Sequence, residues 1–487
     1  MNTLNLNIWV IIHFFSLACL SIYGIHRLWM IWCWRKECDK KIETAHDSFS
    51  IFPEITVQLP LYNEKFVTKR LIDAVASFDW PKDKLIIQVL DDSTDETSEI
   101  VADSVKNWKN TGVRIEHLKR IDRKGFKAGA LAEGMKKTSS GFIAVFDADF
   151  IPSPNFLKKT IHYFEDERIG MVQTRWDFVN SDYSFLTKIQ KILLSPHFEI
   201  EHQVRFRRSL FFNFNGTAGI WRKSAIENAG GWQADTVTED LDLSYRAQIK
   251  GWKFEYVNEI TVPSELPVTL SAFRSQQQRW AKGSVQTARK ILPMLIKSDL
   301  PLSVKIESFM HLLANFGWLF GALVTLTLYP TLAARISVGP YQIIWLDIPL
   351  FVFSGCAILF YYFYYALKTG KMSLIYVLPL LPALSIGLAP SITLSVLQGL
   401  FRNGGEFKRT PKFGIVKKGR EGGTFSYGQS VIAYLLFDSA FLIYASLPLF
   451  FAIARGTWPA IPFLVLFPAG FAVVLVLDFC SLGFRNE

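Results

Sequence analysis

Cysteine is scarce in this chain of 487 residues, and the five present form no framework. Cys19, Cys356 and Cys480 fall in apolar stretches, while Cys33 and Cys38 lack zinc-type partners. Reduced thiols are therefore expected, not a disulfide scaffold. A glycine-rich phosphate loop is missing too, which leaves ATP chemistry without support. Charge is sparse, with 20% Asp, Glu, Lys and Arg against 50% apolar residues, an unusual balance for a water-soluble protein. The net charge of +10 comes without zinc-finger spacing or a basic amphipathic repeat, so no nucleic-acid partner is expected. His197 and His202 bracket Glu199 and Glu201 but stand five apart, off the i,i+4 face of a helical zinc site.

Apolar residues are plentiful and unevenly placed, and Phe alone occurs 41 times. Residues 6–25 carry no charge and are long enough to span a bilayer. Arg35, Lys36, Lys40 and Lys41 follow, which puts the next segment in the cytoplasm and the N-terminus outside. With no positive charge before it, the apolar stretch reads as an uncleaved anchor. Further apolar segments occupy 309–334, 348–367, 372–401, 430–454 and 458–482. If all of them crossed, the basic segment 402–420, with Lys408, Arg409, Lys412, Lys417 and Lys418, would lie outside against the positive-inside rule. Segment 372–401 also contains Pro379, Pro382 and Pro390. It is expected to be interfacial or re-entrant, leaving five crossings. Asp438 and Asp478, charges within spans, either line a polar channel or hydrogen-bond a neighbouring helix.

From about residue 52 to 263 the composition turns to that of a soluble α/β domain. β-rich runs at 55–59, 85–90 and 142–146 end in acidic or turn residues, and helix-like segments at 64–77, 94–105 and 126–137 alternate with them. The pattern predicts a mostly parallel, Rossmann-like sheet with ligands at the carboxyl ends of its strands. The expected divisions are an anchor and basic linker at 1–51, the cytosolic domain at 52–263, interfacial helices at 264–305 and a transmembrane region at 306–487 with a cytosolic loop at 402–428.

Asp147-Ala148-Asp149 ends one β-rich run. Residues i and i+2 of an extended segment share a face, so both carboxylates can meet one hard cation. Alone, the triplet reads first as an acidic turn after a strand, as does Asp91-Asp92 at an earlier strand end. Thr238-Glu239-Asp240 precedes a helical stretch and in isolation reads as a helix cap with an acidic first turn. Gln276-Gln277-Gln278-Arg279-Trp280 offers a guanidinium for a diphosphate and an indole for a sugar ring, or simply the polar face of an interfacial helix.

The ordered set changes that balance. Pro60-x-Tyr62-Asn63-Glu64, Asp91-Asp92-Ser93, Asp147-x-Asp149, Thr238-Glu239-Asp240 and Gln276-x-x-Arg279-Trp280 together resemble the processive family 2 glycosyltransferases, which include cellulose, chitin and hyaluronan synthases. Longer words point to the cellulose-synthase-like A group, the glucomannan 4-β-mannosyltransferases, and its bacterial relatives. They are Val89-Leu90-Asp91-Asp92-Ser93-Thr94-Asp95, Arg123-Lys124-Gly125-Phe126-Lys127-Ala128-Gly129-Ala130-Leu131, Phe214-Asn215-Gly216-Thr217-Ala218-Gly219-Ile220-Trp221-Arg222, Ser264-Glu265-Leu266-Pro267 and Arg409-Thr410-x-Lys412.

The resemblance implies a cytosolic α/β domain of the GT-A type plus an α-helical transmembrane domain. It implies a hexosyltransferase that builds a β-linked glycan, with 1,4 linkage favoured, and passes it through its own helices. Tyr62 would lie near the nucleotide base, Asp91 and Asp92 at base or ribose, and Lys127 at the nucleotide. Asp147 and Asp149 would hold Mg2+ or Mn2+, and Asp240, beside Glu239, would be the general base. Phe214, Asn215, Gly216 and Thr217 would border the acceptor, with Gln276, Arg279 and Trp280 at the diphosphate and the growing chain. Arg409, Thr410 and Lys412 would belong to a loop closing over the donor. The donor stays open between GDP-mannose, GDP-glucose and UDP-glucose, and the membrane between a bacterial cell membrane and the Golgi. The acceptor would be the growing glycan, with membrane lipids around the helices; the oligomeric state is not legible. A non-processive family 2 enzyme that glycosylates a membrane lipid such as ceramide shares Asp-x-Asp and Gln-x-x-Arg-Trp, and product size separates the two. A transporter or scaffold with an inactive enzyme-like domain would be expected to have lost an acidic motif residue, and none is lost.

Overall fold

Seven strands form the globular part: β1 (Ile55–Leu61), β2 (Leu85–Asp91), β3 (Arg114–Lys119), β4 (Phe142–Val145), β5 (Ile169–Phe178), β6 (Gly219–Arg222) and β7 (Lys253–Ser264). The computed structural model describes residues 3–37, 52–338, 344–405, 409–415 and 430–483. Cys38, Lys40, Lys41, Lys408, Lys417 and Lys418, with most of loop 402–428, lie outside the described residues. The strand order is β3-β2-β1-β4-β6-β5-β7. β1 to β4 pair in parallel, β5 pairs in parallel with β7, and β6 alone runs antiparallel to its neighbours β4 and β5. The mostly parallel α/β sheet expected from the sequence is what forms.

Strands covered on both faces read as continuous apolar runs. Side chains of β4 therefore alternate between two apolar clusters. Ala144 and then Phe146 pack with Val57, Leu71 and Val89, while Ile143 and Val145 pack with Leu131, Trp221 and Phe254. Gln58 and Gln88, polar and fully buried on adjacent strands, answer each other with a 3.0 Å hydrogen bond. The carboxyl ends of β1, β2 and β4 lie along one edge of the sheet, where Tyr62, Asp92 and Asp147 follow them.

Among the described residues six helices are long and apolar enough to cross a membrane: Ile8–Glu37, Phe316–Arg335, Trp345–Lys368, Leu380–Phe401, Val431–Ala454 and Trp458–Cys480. Outward side chains such as Leu436 (70% exposed), Ile443 (70%) and Phe450 (65%) are apolar, the reverse of a water-facing bundle.

Leu380–Phe401 is the most buried of the six. Its prolines do not break it. Pro379 precedes the first turn, Pro382 lies within that turn, where no intrahelical N–H bond is made, and the helix runs on through Pro390. Both ends of the segment meet the globular part. Before it, Lys371 Nζ lies 2.7 Å from Glu199, and the Tyr376 ring sits beside Phe185. After it, Gln286 Nε2 donates to the Arg402 and Gly404 carbonyls at 2.9 and 2.8 Å, and Gly404 N donates to Asp235 O.

The long helix Leu270–Lys297 lies against Leu380–Phe401. A Cβ on Gly399 would sit 2.7 Å from the Lys282 carbonyl, so glycine permits the approach. Arg274 on this long helix holds the two aspartates of the candidate spans, Asp438 and Asp478. Its Nη2 lies 2.6 Å from Asp438 and 3.1 Å from Asp478, with all three side chains buried and the Tyr434 ring against the guanidinium. They form an ion bridge between helices.

Candidate active site

One cavity opens over the carboxyl ends of β1, β2 and β4, and three sets of residues build it. At the end of β1, Asn63 takes a left-handed backbone conformation (φ 54°) and ties the strand to the turn after β2. Its N–H donates to Ser93 Oγ (2.9 Å), and its Oδ1 accepts from Thr94 N (2.8 Å). Tyr62 and Glu64 are thereby turned into the cavity. Asp91 does not face it. Its carboxylate accepts from Ser93 N, Ser98 Oγ and His117 Nε2 at 2.9, 2.5 and 2.7 Å. Burial alone would raise this group, but those bonds hold it down at about 2. Asp92 does line the cavity, gripped by Arg120 (Nε to Oδ1 2.8 Å). Arg120 also donates to the Lys124 and Phe126 carbonyls, shaping a loop in which Arg123 stacks 3.3 Å over the Tyr62 ring. A Cβ on Gly129 would lie 2.1 Å from the Lys124 carbonyl, so the helix Phe126–Lys136 starts tight against the loop only with glycine there. That start delivers Lys127, whose Nζ lies 2.5 Å from Asp147 Oδ1, 2.9 Å from Gly216 O and 3.9 Å from Glu239.

The second set follows β4. Asp147 N donates to Thr217 Oγ1 (2.9 Å), so Thr217, fully buried, pins the acidic turn from behind. Asp149 Oδ2 accepts from Glu265 N (3.0 Å) and from Lys412 Nζ (2.8 Å). Lys412 also donates to the Glu265 carbonyl, and Phe413 N donates to Glu265 Oε1 at 2.8 Å. Arg409 donates to the Tyr62 carbonyl (2.8 Å) and approaches Glu64 (3.7 Å). Burial pushes the Glu64 carboxyl up to about 8, with Arg409 opposing.

The third set is the start of the helix Glu239–Ile249. Thr238 occupies the capping position but makes no capping bond. Its hydroxyl meets Thr287 Oγ1 at 3.2 Å instead, where a Cβ on Gly283 would come within 2.4 Å of its methyl. The long helix thus packs hard against this turn and carries Gln276, Arg279 and Trp280 into the cavity on one face. Asp240 Oδ1 accepts from Leu241 N (2.8 Å). Its Oδ2 lies 2.8 Å from where a Cβ on Gly216 would stand. Burial, and then the Glu239 carboxylate beside it, push Asp240 up to about 7, against Lys127.

Gly216 (φ +80°) is accordingly fixed by two constraints. Gly216→Ala would force a side chain into the left-handed region, at about 1–2 kcal/mol, and push against Asp240. With Asp240 as the base that the resemblance implies, such a displacement is expected to lower turnover on the order of 10²-fold, with folded yield largely kept. Activity assays beside a thermal melt check it, and a variant as active as wild type would separate Gly216 from the chemistry.

Of the residues singled out in the sequence, Tyr62, Asp92, Lys127, Asp147, Asp149, Asn215, Gly216, Glu239, Asp240, Gln276, Arg279, Trp280, Arg409, Thr410 and Lys412 meet in this cavity. Asp91, Phe214 and Thr217 stand behind its wall, with the Phe214 ring packed on Trp221. Glu64, Arg123 and Glu265 line it without having been assigned a part, and Arg120 supports it. All but Arg120 sit inside words quoted above; their place follows only from strand ends meeting.

No group of three or more His, Cys, Asp or Glu side chains among the described residues makes a closed metal site. Asp147 and Asp149 both line the cavity, each with one oxygen paired to an ammonium, Lys127 or Lys412; the second oxygen of each is the donor type a hard cation takes, so the pair fits an open site completed by ligands from outside the chain.

Residues 53–283 match the family described as Glycosyltransferase like family 2. Glucomannan 4-beta-mannosyltransferase 1 of Oryza sativa subsp. japonica is 44% identical over 272 residues, 55% of this chain and 52% of the rice protein. Glucomannan 4-beta-mannosyltransferase 2 of Arabidopsis thaliana is 42% identical over 293 residues, 58% of this chain and 55% of its own. The chain thus spans about half the length of the curated relatives it matches. A solved mannosyltransferase from Pyrobaculum calidifontis, in complex with GDP-Man and Mn2+, shares the fold with a TM-score of 0.52 at 18% identity, over 78% of this chain and 99% of that one.

Proposed function

We propose, from the premise that residues 53–283 form a family 2 glycosyltransferase domain, that this chain is a membrane-bound inverting hexosyltransferase. It polymerises a β-1,4-linked mannan or glucomannan from a nucleotide-diphosphate sugar and passes the product through its own helices. GDP-mannose is taken as the donor ahead of GDP-glucose and UDP-glucose, because the relatives are mannosyltransferases and the solved mannosyltransferase of the same fold is in complex with GDP-Man. The observation that carries the reading is Asp240. Its carboxylate faces the cavity beside Gly216, separated by Lys127 from the Asp147–Asp149 pair, with Arg279 and Trp280 on the adjoining wall.

In this reading Asp240 takes the proton of an acceptor hydroxyl. The freed oxygen attacks the anomeric carbon, forming the glycosidic bond as the bond to the diphosphate oxygen breaks on the opposite face. Arg279, Arg409 and Lys412 receive the charge of the departing diphosphate. A divalent cation, Mg2+ or Mn2+, held by Asp147 and Asp149 would neutralise part of that charge. Tyr62, Arg123 and Asp92 frame the nucleoside end, and Trp280 offers a face to a sugar ring.

The catalytic unit is read as cytosolic, with the divisions given above. That both ends of segment 372–401 meet the globular part supports an interfacial placement and five crossings, since a spanning helix puts its ends about 30 Å apart on opposite sides.

Asp240 must be a carboxylate to act, and its value lies near 7, not at 3.8. kcat/KM is therefore expected to climb with pH across roughly pH 6–8 and level off above, because protonation below that window removes the base. A profile already flat at pH 5 would exclude it. The function itself is tested with purified protein, Mg2+ or Mn2+, a panel of GDP- and UDP-sugars, and linkage analysis. Long β-1,4 product from GDP-mannose is expected; a single sugar added to a lipid would favour the non-processive reading.

A further inference from the structure

The segment that first resembles a zinc site, His197–His202, is a one-turn π-helix between the helices Phe185–Pro196 and Gln203–Arg207. A π turn holds more residues than an α turn, so it re-aims the side chains on it, and such turns recur at functional sites. Its two glutamates are tied elsewhere: Glu201 to Arg27 and Arg205, Glu199 to Lys371. His202 instead points inward, fully buried, with Nε2 2.9 Å from Asn215 Oδ1.

The bonds around Asn215 fix which way each group faces. Asn213 Nδ2 lies 2.9 Å from the Phe214 carbonyl and 3.1 Å from Asn215 Oδ1. A carbonyl oxygen only accepts, so the Asn213 group pointing at it is the NH2. Asn215 must then turn its oxygen toward Asn213. The same oxygen faces His202, so His202 Nε2 carries the proton and Nδ1 does not. Burial, reinforced by His197 and Arg205, holds His202 well below the usual histidine range, which keeps the ring neutral and this tautomer in place. The Asn215 backbone is held too, its N–H donating to Gln173 Oε1 at 2.9 Å. Two atoms are left over, His202 Nδ1, which in this tautomer carries no proton, and the donor Asn215 Nδ2. The Asn215 donor is the one at the cavity. It is buried without a hydrogen-bond partner among the described residues, on a side chain that lines the cavity next to Gly216 and Asp240. An unanswered buried donor is costly, and here a ligand oxygen can answer it.

We propose that His202 is a positioning residue: it locks the Asn215 amide so that Nδ2 donates to a hydroxyl oxygen of the acceptor sugar held beside Asp240. This rests on the reading of Asp240 as the base toward that sugar. His202 touches no substrate itself and acts only through Asn215.

Full-length purified protein tests it, with a short β-1,4 manno-oligosaccharide as added acceptor and GDP-mannose as donor. His202→Phe, which keeps a ring but loses the donor, is expected to raise the acceptor KM about tenfold with the donor KM unchanged. His202→Gln, which restores an N–H at that reach, should recover most of the loss. Asn215→Ala should match His202→Phe in raising the acceptor KM and leaving the donor KM, and the double variant should be no worse than Asn215→Ala alone. Multiplying effects, or acceptor and donor KM shifting together with no rescue by Gln, would overturn the inference while wild type stays active. A wild type that transfers no sugar from any donor would overturn the reading of the site, and the inference with it.

Discussion

Asp240→Asn is expected to lower sugar transfer by about 10²–10⁴-fold, the range for losing a positioned general base, with nucleotide affinity close to that of wild type. The side chains nearest the diphosphate in the proposed reading are Arg279, Arg409 and Lys412, and among the carboxylates acting on Arg279, Glu239 and Asp147 outweigh Asp240. Asn keeps the size of Asp and the bond from Leu241 N to Oδ1, so the local fold has no reason to move. The substitution should not destabilise the protein either. Asp240 has a folded-state value near 7, above its ordinary 3.8, so ionising it costs stability progressively as pH rises through that window. Asn escapes this cost, and at pH 8 the variant should melt at or above wild type. Transfer rate, nucleotide titration and a melt on one preparation separate the roles. Lost nucleotide binding with transfer intact would reverse the assignment.

Arg274→Met carries the second large effect, on stability. Arg274 Nη2 is the shared partner of Asp438 and Asp478, and all three side chains are buried. Removing one member of a buried ion group typically costs about 3–5 kcal/mol because the charge left behind is unanswered. Here two carboxylates are left behind. The loss falls where the long helix Leu270–Lys297 meets Ser430–Ala454 and Leu466–Gly483, so the helix that bears Gln276, Arg279 and Trp280 loses its anchor. Replacing all three groups, Arg274→Met with Asp438→Asn and Asp478→Asn, should regain most of the folded yield, since well-packed neutral groups often substitute for buried ions. Detergent-solubilised thermal melts check both. A single variant as stable as wild type would show that water reaches the site.

The sheet was legible because parallel strands buried on both faces leave continuous apolar runs, as at Val57, Val89 and Ile143. The motif residues were legible as a set, not singly. Thr238 read as a helix cap, yet its hydroxyl goes to Thr287, a partner 49 residues away that no local pattern marks. Asp91 and Asp92 are adjacent and alike in sequence. Strand alternation turns one inward to Ser98 and His117 and the other to the cavity. Arg274 stands two residues before Gln276 in a polar stretch, and nothing in its neighbours announces two intramembrane carboxylates. The spacing that sets His197 and His202 off one helical face assumes an α turn; the π turn at 197–202 changes where the His202 ring points.

The anomeric configuration of the product is the most direct measurement. One-bond C1–H1 coupling on polymer made from an α-linked nucleotide sugar reads it without ambiguity. A β anomer is expected, because a single in-line attack activated by Asp240 inverts the centre. A retained α anomer would require a second displacement or attack from the leaving group's own face, and would contradict Asp240 as the base of an in-line attack.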